Sequence, residues 1–386
     1  LAALAAIADR ANDGSNPTGN FADTINDYFP LTYAPVNSAD DSQTNSPGHP
    51  GFNASRWQPL RVPTGTVRDA NGNPIVDPAD PASYNDQRFL TPHWGGVRTF
   101  AAGDPKQYLP PAPPQFGSDK PYTDALGVTS TNHESWVFQV DQVLEFSANL
   151  TDEHKVIAEF WADGPRSETP PGHWNQLAQG VSVRDGHDIG TDARMFLALN
   201  AALMDAGIVT WNVKRTFDSI RPASAIRHLH FGETVQAWGG PNLGTQSIQG
   251  EDWHPYQDST FVTPPFGEFT SGHSAFSAAA AEVLTEFTGS GQFYDGVTHI
   301  DQDLNDDGEA DLLGQHIALP GSNNFEDSPS ANVTLRWNTF KDAADEAGIS
   351  RLYGGIHIQD GDRHGRTIGE RVGAAAMAKA AALFAG

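Results

Sequence analysis

Hydrophobic positions fall at helical intervals over the last two-thirds of the chain and show little periodicity before that. From about residue 133 onward, apolar side chains recur three and four positions apart, as in "SWVFQVDQVLEFSANL" and "TDEHKVIAEFWAD". That spacing lines one face of an α-helix. Thr151 is a predicted N-cap, followed by Asp152 and Glu153 in the first turn, where the helix dipole favours acids. "TDARMFLALNAALMDAG" repeats the device, with Thr191 as cap and Gly207 as stop. Further helices are predicted over "VTWNVKRTFDSI", ending before Pro222, after His273, and over the C-terminal "GRTIGERVGAAAMAKAAALFAG". No internal repeat stands out, and almost nothing reads as a sheet. The expected fold class is mainly α, a helical bundle.

Residues 1–130 have a different texture. Stretches such as "NPTGNFADTINDYFP", "DPADPASYNDQ" and "PPAPPQFGSDKP" are dense in turn and loop formers. This loop-rich N-terminal region is expected to wrap a helical core formed by residues 131–386, the two making one structural unit.

Composition narrows the partners. The 386 residues carry a formal net charge of -25, which opposes binding to nucleic acid or to an anionic membrane surface. A small anion would need its own positive pocket, so any cluster of basic residues is informative. The chain has no cysteine, which excludes disulfides and thiolate chemistry. No apolar run reaches the length expected of a membrane span. The opening "LAALAAIADRAND" lacks a basic n-region and reads as a mature or trimmed terminus rather than a signal peptide.

Three segments carry chemistry. In "WNVKRTFDSIRP", Lys214 and Arg221 are seven residues apart, two turns on one face of a helix. Such pairs often mark no more than a solvated face, but here Trp211 and Phe217 flank them. In "FTSGHSAFSAAAAEVL", Ser271, Gly272 and His273 stand at a predicted helix start. There the unpaired amides and the positive dipole end make an oxyanion site, or else Ser271 is an ordinary cap beside an incidental histidine. In "SRLYGGIHIQDGD", Gly354 and Gly355 break the helix between Arg351 and His357, which lets both side chains turn to one point. Together these give three cations, neutral donors and two imidazoles, a set suited to a tetrahedral or trigonal-bipyramidal oxyanion. Simple anion capture would need neither histidine. Zinc hydrolysis through His357, Asp360 and Asp362 would leave the cations unexplained.

The order K-x6-RP (Lys214 to Pro222), SGH (Ser271 to His273) and SR-x5-H (Ser350 to His357) resembles the vanadium-dependent haloperoxidases. Those enzymes share fold and pocket with type 2 phosphatidic acid phosphatases and bacterial acid phosphatases. Looser likeness extends to "FWADGPRSETPPGHWNQ" and "TPHWGGVRTF". The resemblance implies vanadate as cofactor, with His357 its axial vanadium ligand and Lys214, Arg221, Arg351, Ser271 and Gly272 around its oxygens. It implies His273 as acid–base group, and Asp163 of "WADG" as an acidic partner of an arginine. It further implies hydrogen peroxide and a halide as substrates, with a small organic acceptor downstream.

Trp211 and Phe266 match the apolar halide-side wall of the fungal chloroperoxidases, although both also suit plain core packing. Algal bromoperoxidases typically carry a His where Phe266 stands. Bromide or iodide, which are easier to oxidise, are expected ahead of chloride. The alternative is a phosphomonoesterase, with His357 as nucleophile and His273 protonating the leaving group. A free imidazole titrates near 6.5, so His273 is expected to exchange protons near neutrality.

One position departs from the family pattern. Where the family often has an Asp four residues after the axial His, this chain has Gly361, flanked by Asp360 and Asp362. The second nitrogen of His357 is expected to find a nearby backbone carbonyl or carboxylate, with Asp360 or Asp362 as candidates. In "DQDLNDDGEAD", Asp303, Asn305, Asp307 and Asp311 with Gly308 resemble calcium loops of secreted proteins, or else form a solvated acidic loop. The expected location is secreted or periplasmic, and a homo-oligomer is compatible with everything above.

Overall fold

The computed structural model describes residues 2–70, 72–297 and 312–385. The sequence's calcium candidates Asp303, Asn305, Asp307 and Asp311 lie outside the described residues. The helices are α1 (Ala2–Arg10), α2 (Asn132–Ala148), α3 (Asp152–Phe160), α4 (Thr169–Asp185), α5 (Ile189–Phe217), α6 (Pro222–Leu229), α7 (Gly272–Thr288), α8 (Phe340–Tyr353) and α9 (Gln359–Ala385). Strands occur, among the described residues, only as four two-stranded antiparallel sheets of three to five residues a strand. Such strands are too short to leave a period-2 pattern in the sequence.

The core is built where α7 meets α9 and both meet α5. Glycines set the α7–α9 spacing. A Cβ added to Gly369 would lie 2.3 Å from the Ala275 carbonyl oxygen, and one on Gly365 would lie 2.8 Å from that of Ser271. The opposing face of α7 is alanine-rich, so the two backbones approach closely and bury Ala279, Ala280, Val283 and Leu284 completely. Each fully buried Val or Leu contributes roughly 1.5–3 kcal/mol. That packing fixes where α7 begins, and so where Ser271, Gly272 and His273 sit.

Several boundaries differ from those expected. Thr151 does cap α3, accepting from the His154 amide. Asp188, rather than Thr191, caps α5. Gly207 does not stop that helix, because Phe276 of α7 packs over it: an added Cβ would meet the ring at 3.3 Å. Lys214 and Arg221 do not share one helix. α5 ends at Phe217, Asp218 turns left-handed at φ 47°, and Pro222 opens α6. Proline favours that first helical position because its missing N–H would be unpaired there anyway. α4, with Pro170 at its start, follows the same rule. The stretch 189–229 is, by length and composition, apolar enough to cross a membrane, contrary to the sequence expectation; 72% of its most apolar window is buried in the protein core.

The N-terminal region is bolted to these helices through buried acids. Asp205 of α5 accepts from the amides of Phe100, Ala101 and Ala102 at 2.6, 2.6 and 2.8 Å. Asp218 accepts from the Tyr33 hydroxyl at 2.7 Å and from Arg56 Nε at 3.0 Å. Leu90 donates its amide to Pro265 and accepts from the Trp211 indole through its carbonyl.

Candidate functional site

The three segments singled out in the sequence converge. Lys214, Arg221, Ser271 and Arg351 are fully buried, and His357 is 2% exposed. The Lys214 ammonium donates to the carbonyls of Gly267 and Glu268 at 3.0 and 2.9 Å. Arg221 donates Nε to Phe266 O and Nη1 to Ile356 O and to His357 Nε2, the last at 3.1 Å. Its Nη2 has no partner although it is buried. Arg351 donates to Ser350 Oγ and to the carbonyls of Ala158 and Ala162. Carbonyls therefore hold the cations in place without cancelling their charge. None of the three forms an ion pair with a carboxylate among the described residues.

Uncompensated charge in a dry place is costly. Burial presses all three cations below their ordinary range, and the neighbouring Arg221 presses Lys214 further. His357 is pushed well down by burial, then by Arg221, Lys214, His273 and Arg351 in turn. Contacts link the groups: Arg221 reaches His357, Lys214 and Arg221 share the Phe266 ring, and Arg351 and His273 share the Ala162 carbonyl. An anion there would relieve every one of these costs together.

α7 supplies the neutral donors. Ser271 caps it, accepting from the Ser274 amide at 3.2 Å, and its own amide is tied to Gly361 O at 2.8 Å. The Gly272 and His273 amides stand in the first turn, where no intrahelical acceptor exists. His273 Nε2 lies 3.3 Å from the Ala162 carbonyl, which Arg351 Nη1 also approaches. The chain turns there at Asp163, φ 43°, a left-handed conformation that Asp tolerates better than most residues. On the opposite side, the rings of Trp211 and Phe266 lie 4.9 Å apart, and Phe266 is 5.0 Å from both Lys214 Nζ and the Arg221 guanidinium.

Residues 194–386 match the VCPO second helical-bundle domain. The chain belongs to the vanadium-dependent haloperoxidase family. Vanadium chloroperoxidase of Curvularia inaequalis is 28% identical to it over 143 residues, 33% of this chain and 22% of that protein. The match therefore covers about a fifth of the curated relative's length. Among solved structures, a holo-type bacterial vanadium-dependent chloroperoxidase superposes with TM-score 0.74 at 24% identity, covering 99% of this chain and 71% of that one. The apo-type form gives 0.75 at 24% identity, covering 99% and 73%. At that identity the likeness is one of fold. A bacterial vanadium-dependent iodoperoxidase gives 0.52 at 25% identity, covering 82% and 62%.

Three expectations about the site of this haloperoxidase-family chain are corrected by its geometry. The partner of His357 is neither Asp360 nor Asp362 but Glu268, whose Oε1 lies 2.7 Å from Nδ1 and also accepts from the Ile358 amide at 3.2 Å. Asp360 is engaged by Tyr122, Gln139 and the Ala125 amide, and Asp362 by Ser274 and Arg366. Two residues apart at the start of α9, these carboxylates diverge by about 200°. Second, Asp163 bonds His173 at 3.0 Å rather than an arginine; the charge of Arg351 reaches it only at longer range. Third, His273 is held below its ordinary range in the anion-free site. Burial, then the positive charge of Arg351, pushes it down to about 3.

Glu268 was missed because it gains meaning only in three dimensions. Its trace in the sequence is Gly361: a Cβ there would lie 1.9 Å from Glu268 Oε1. The carboxylate of Glu268 fills the space that any side chain at 361 would enter.

Proposed function

We propose that this chain binds vanadate in the cationic cage and oxidises a halide with hydrogen peroxide to hypohalous acid, with bromide and iodide ahead of chloride. The observation that carries the reading is a buried Arg221 with an unpartnered Nη2, beside a histidine whose far nitrogen is pinned by a carboxylate. The residues fit the group: three buried cations with no ion-paired carboxylate among the described residues, a helix start and one imidazole suit a tetrahedral oxyanion with a single nitrogen ligand.

In this reading His357 would hold the vanadium through Nε2. Donation from Nδ1 to Glu268 selects the tautomer with a lone pair on Nε2, which in the anion-free site accepts from Arg221 Nη1 and which a vanadium atom would take over. Lys214, Arg221, Arg351 and the Gly272 amide would hold its oxygens, with the Ser271 hydroxyl beside them. Bound vanadate would supply a Lewis-acidic centre that activates hydrogen peroxide towards halide while keeping its oxidation state. His273, neutral in the anion-free site, is ready to take a proton from incoming peroxide and return it to the departing oxygen. Trp211 and Phe266 give the halide a poorly hydrated approach beside Lys214.

The test is bromide oxidation by the purified chain with orthovanadate and hydrogen peroxide, run beside phosphomonoester hydrolysis without vanadate. Vanadate-dependent bromination is expected. Brisk hydrolysis with no bromination would replace this reading with a phosphatase using His357 as nucleophile.

A further inference from the structure

A separate cavity of about 640 Å³ runs along α9, between that helix, the head of α8 and the loop-rich region. Its charge is the reverse of the chain's. Overall, 48 acids outnumber 23 lysines and arginines, whereas on this lining Lys341, Arg363, Arg366 and Arg371 outnumber Asp345 and Glu370. Both of those acids are already engaged. Lys341 pairs with Asp345 and Glu370 at 3.4 and 3.0 Å. Arg366 pairs with Asp345 at 2.7 Å and with Asp362, which lies outside the lining, at 2.6 Å. Two cations are left over. Arg363 is exposed and pairs with no carboxylate among the described residues. Arg371 likewise pairs with none; it donates to the Gln107 carbonyl at 3.1 Å and lies over the Tyr108 ring at 4.6 Å.

These two arginines are eight residues apart on one helix, about 12 Å of rise and about 80° of turn. They therefore stand at the two ends of the cavity. Between them the lining turns apolar, with Ile368 from α9 and Leu109, Pro110 and Pro111 from the loop-rich region. From this arrangement we infer that the cavity binds a small organic dianion whose two acidic groups are separated by an apolar body. The volume suits a small molecule. Guanidinium forks match carboxylate or phosphate oxygens in pairs, and the one laid flat on Tyr108 has less freedom to lose on binding. Pro110 and Pro111 stiffen the apolar wall in the same sense. Four lining cations less two lining acids leave a charge of +2, which a dianion cancels. A neutral ligand would leave both guanidiniums unmatched, and a lone inorganic anion would reach only one of them. The cavity shares no residue with the cage, so the inference stands apart from the oxidation chemistry. In this account the N-terminal region does more than wrap the core; it builds one wall of a second binding site.

Isothermal titration of 2,6-naphthalenedicarboxylate into the full chain, with and without saturating vanadate, tests the site. One saturable site per chain is expected, with the same affinity in both conditions. Arg363→Gln and Arg371→Gln, both at exposed positions, are each expected to weaken binding about fivefold or more with the thermal unfolding midpoint retained. Arg194→Gln removes an exposed arginine of α5 outside the cavity and is expected to leave binding within about twofold, which separates a local contact from the general charge of the chain. On the wild type, the uncharged dimethyl ester is expected to bind about tenfold or more weakly than the dianion. Absence of saturable binding, binding that vanadate displaces, or binding that both cavity variants leave unchanged overturns the site. An ester that binds as tightly as the dianion overturns the assignment of an anionic ligand.

Discussion

Glu268 Oε1 lies 2.7 Å from Nδ1 of His357, with both side chains buried. The carboxylate comes from the segment before α7, not from the start of α9, which follows the histidine. Burial pushes Glu268 up to about 7, against the pull of Lys214 and Arg221. Its Oε2 has no partner. Loss of a carboxylate that orients a ligating histidine typically costs 10–100-fold in affinity. Glu268→Ala is therefore expected to weaken vanadate binding by about that factor, read by equilibrium dialysis. Glu268→Gln keeps an acceptor for Nδ1 and is expected to recover most of the loss. Equal binding in all three proteins would show that the contact does not position His357.

Gly361→Ala tests the same relationship from the other side. The new methyl would collide with Glu268 Oε1, 1.9 Å from the ideal Cβ position, and the fully buried carboxylate has nowhere to retreat. Overpacking of this kind costs typically about 1–3 kcal/mol. The variant is expected to melt several degrees lower and to lose vanadate affinity as Glu268→Ala does. Unchanged melting and affinity would mean that the segment yields freely.

The parts of this fold that were legible in the sequence are those fixed locally. Ser271 at the head of an alanine-rich run marks a cap, and it caps α7. The double glycine between Arg351 and His357 marks a break, and α8 ends there, with Gly355 at φ 71°. Ambiguous signals were resolved by tertiary packing. Gly207 reads equally as a helix stop and as a flat spot for Phe276, and Pro222 reads equally as an end and as a beginning. Lys214, Arg221, Ser271, Arg351 and His357 could be grouped from residue types and motif order. Glu268 was not, because the only sign of it is the absence of a side chain at 361, on a segment far along the chain.

The depressed histidine makes the anion-free fold acid-sensitive. His273 is pushed down to about 3 in the fold, by burial first and then by Arg351, against an unfolded value near 6.5. Between those values the unfolded chain binds a proton that the folded chain refuses, so stability falls as pH drops from 6.5 towards 3. The slope from this one imidazole is at most about 1.4 kcal/mol per pH unit. His273→Asn is expected to lose stability less steeply than the wild type between pH 6 and pH 4 in thermal melts. Parallel profiles would contradict the depressed titration.

The two imidazoles have different tasks. His357→Ala is expected to abolish vanadate retention. His273→Ala is expected to retain vanadate and lose about 10²–10⁴-fold in bromide oxidation, the usual contribution of a general acid–base group. Vanadium content measured by atomic spectroscopy after desalting separates the cases. Equal content in both inactive variants and in the wild type would contradict the axial assignment.

The most direct measurement is a crystal structure of the chain with vanadate. The account predicts one anion in the cage, bonded to His357 Nε2 and in hydrogen-bond reach of Lys214 Nζ, Arg221 Nη2 and the Gly272 amide. Vanadate lodged elsewhere, with Arg221 Nη2 still lacking a partner, would contradict it.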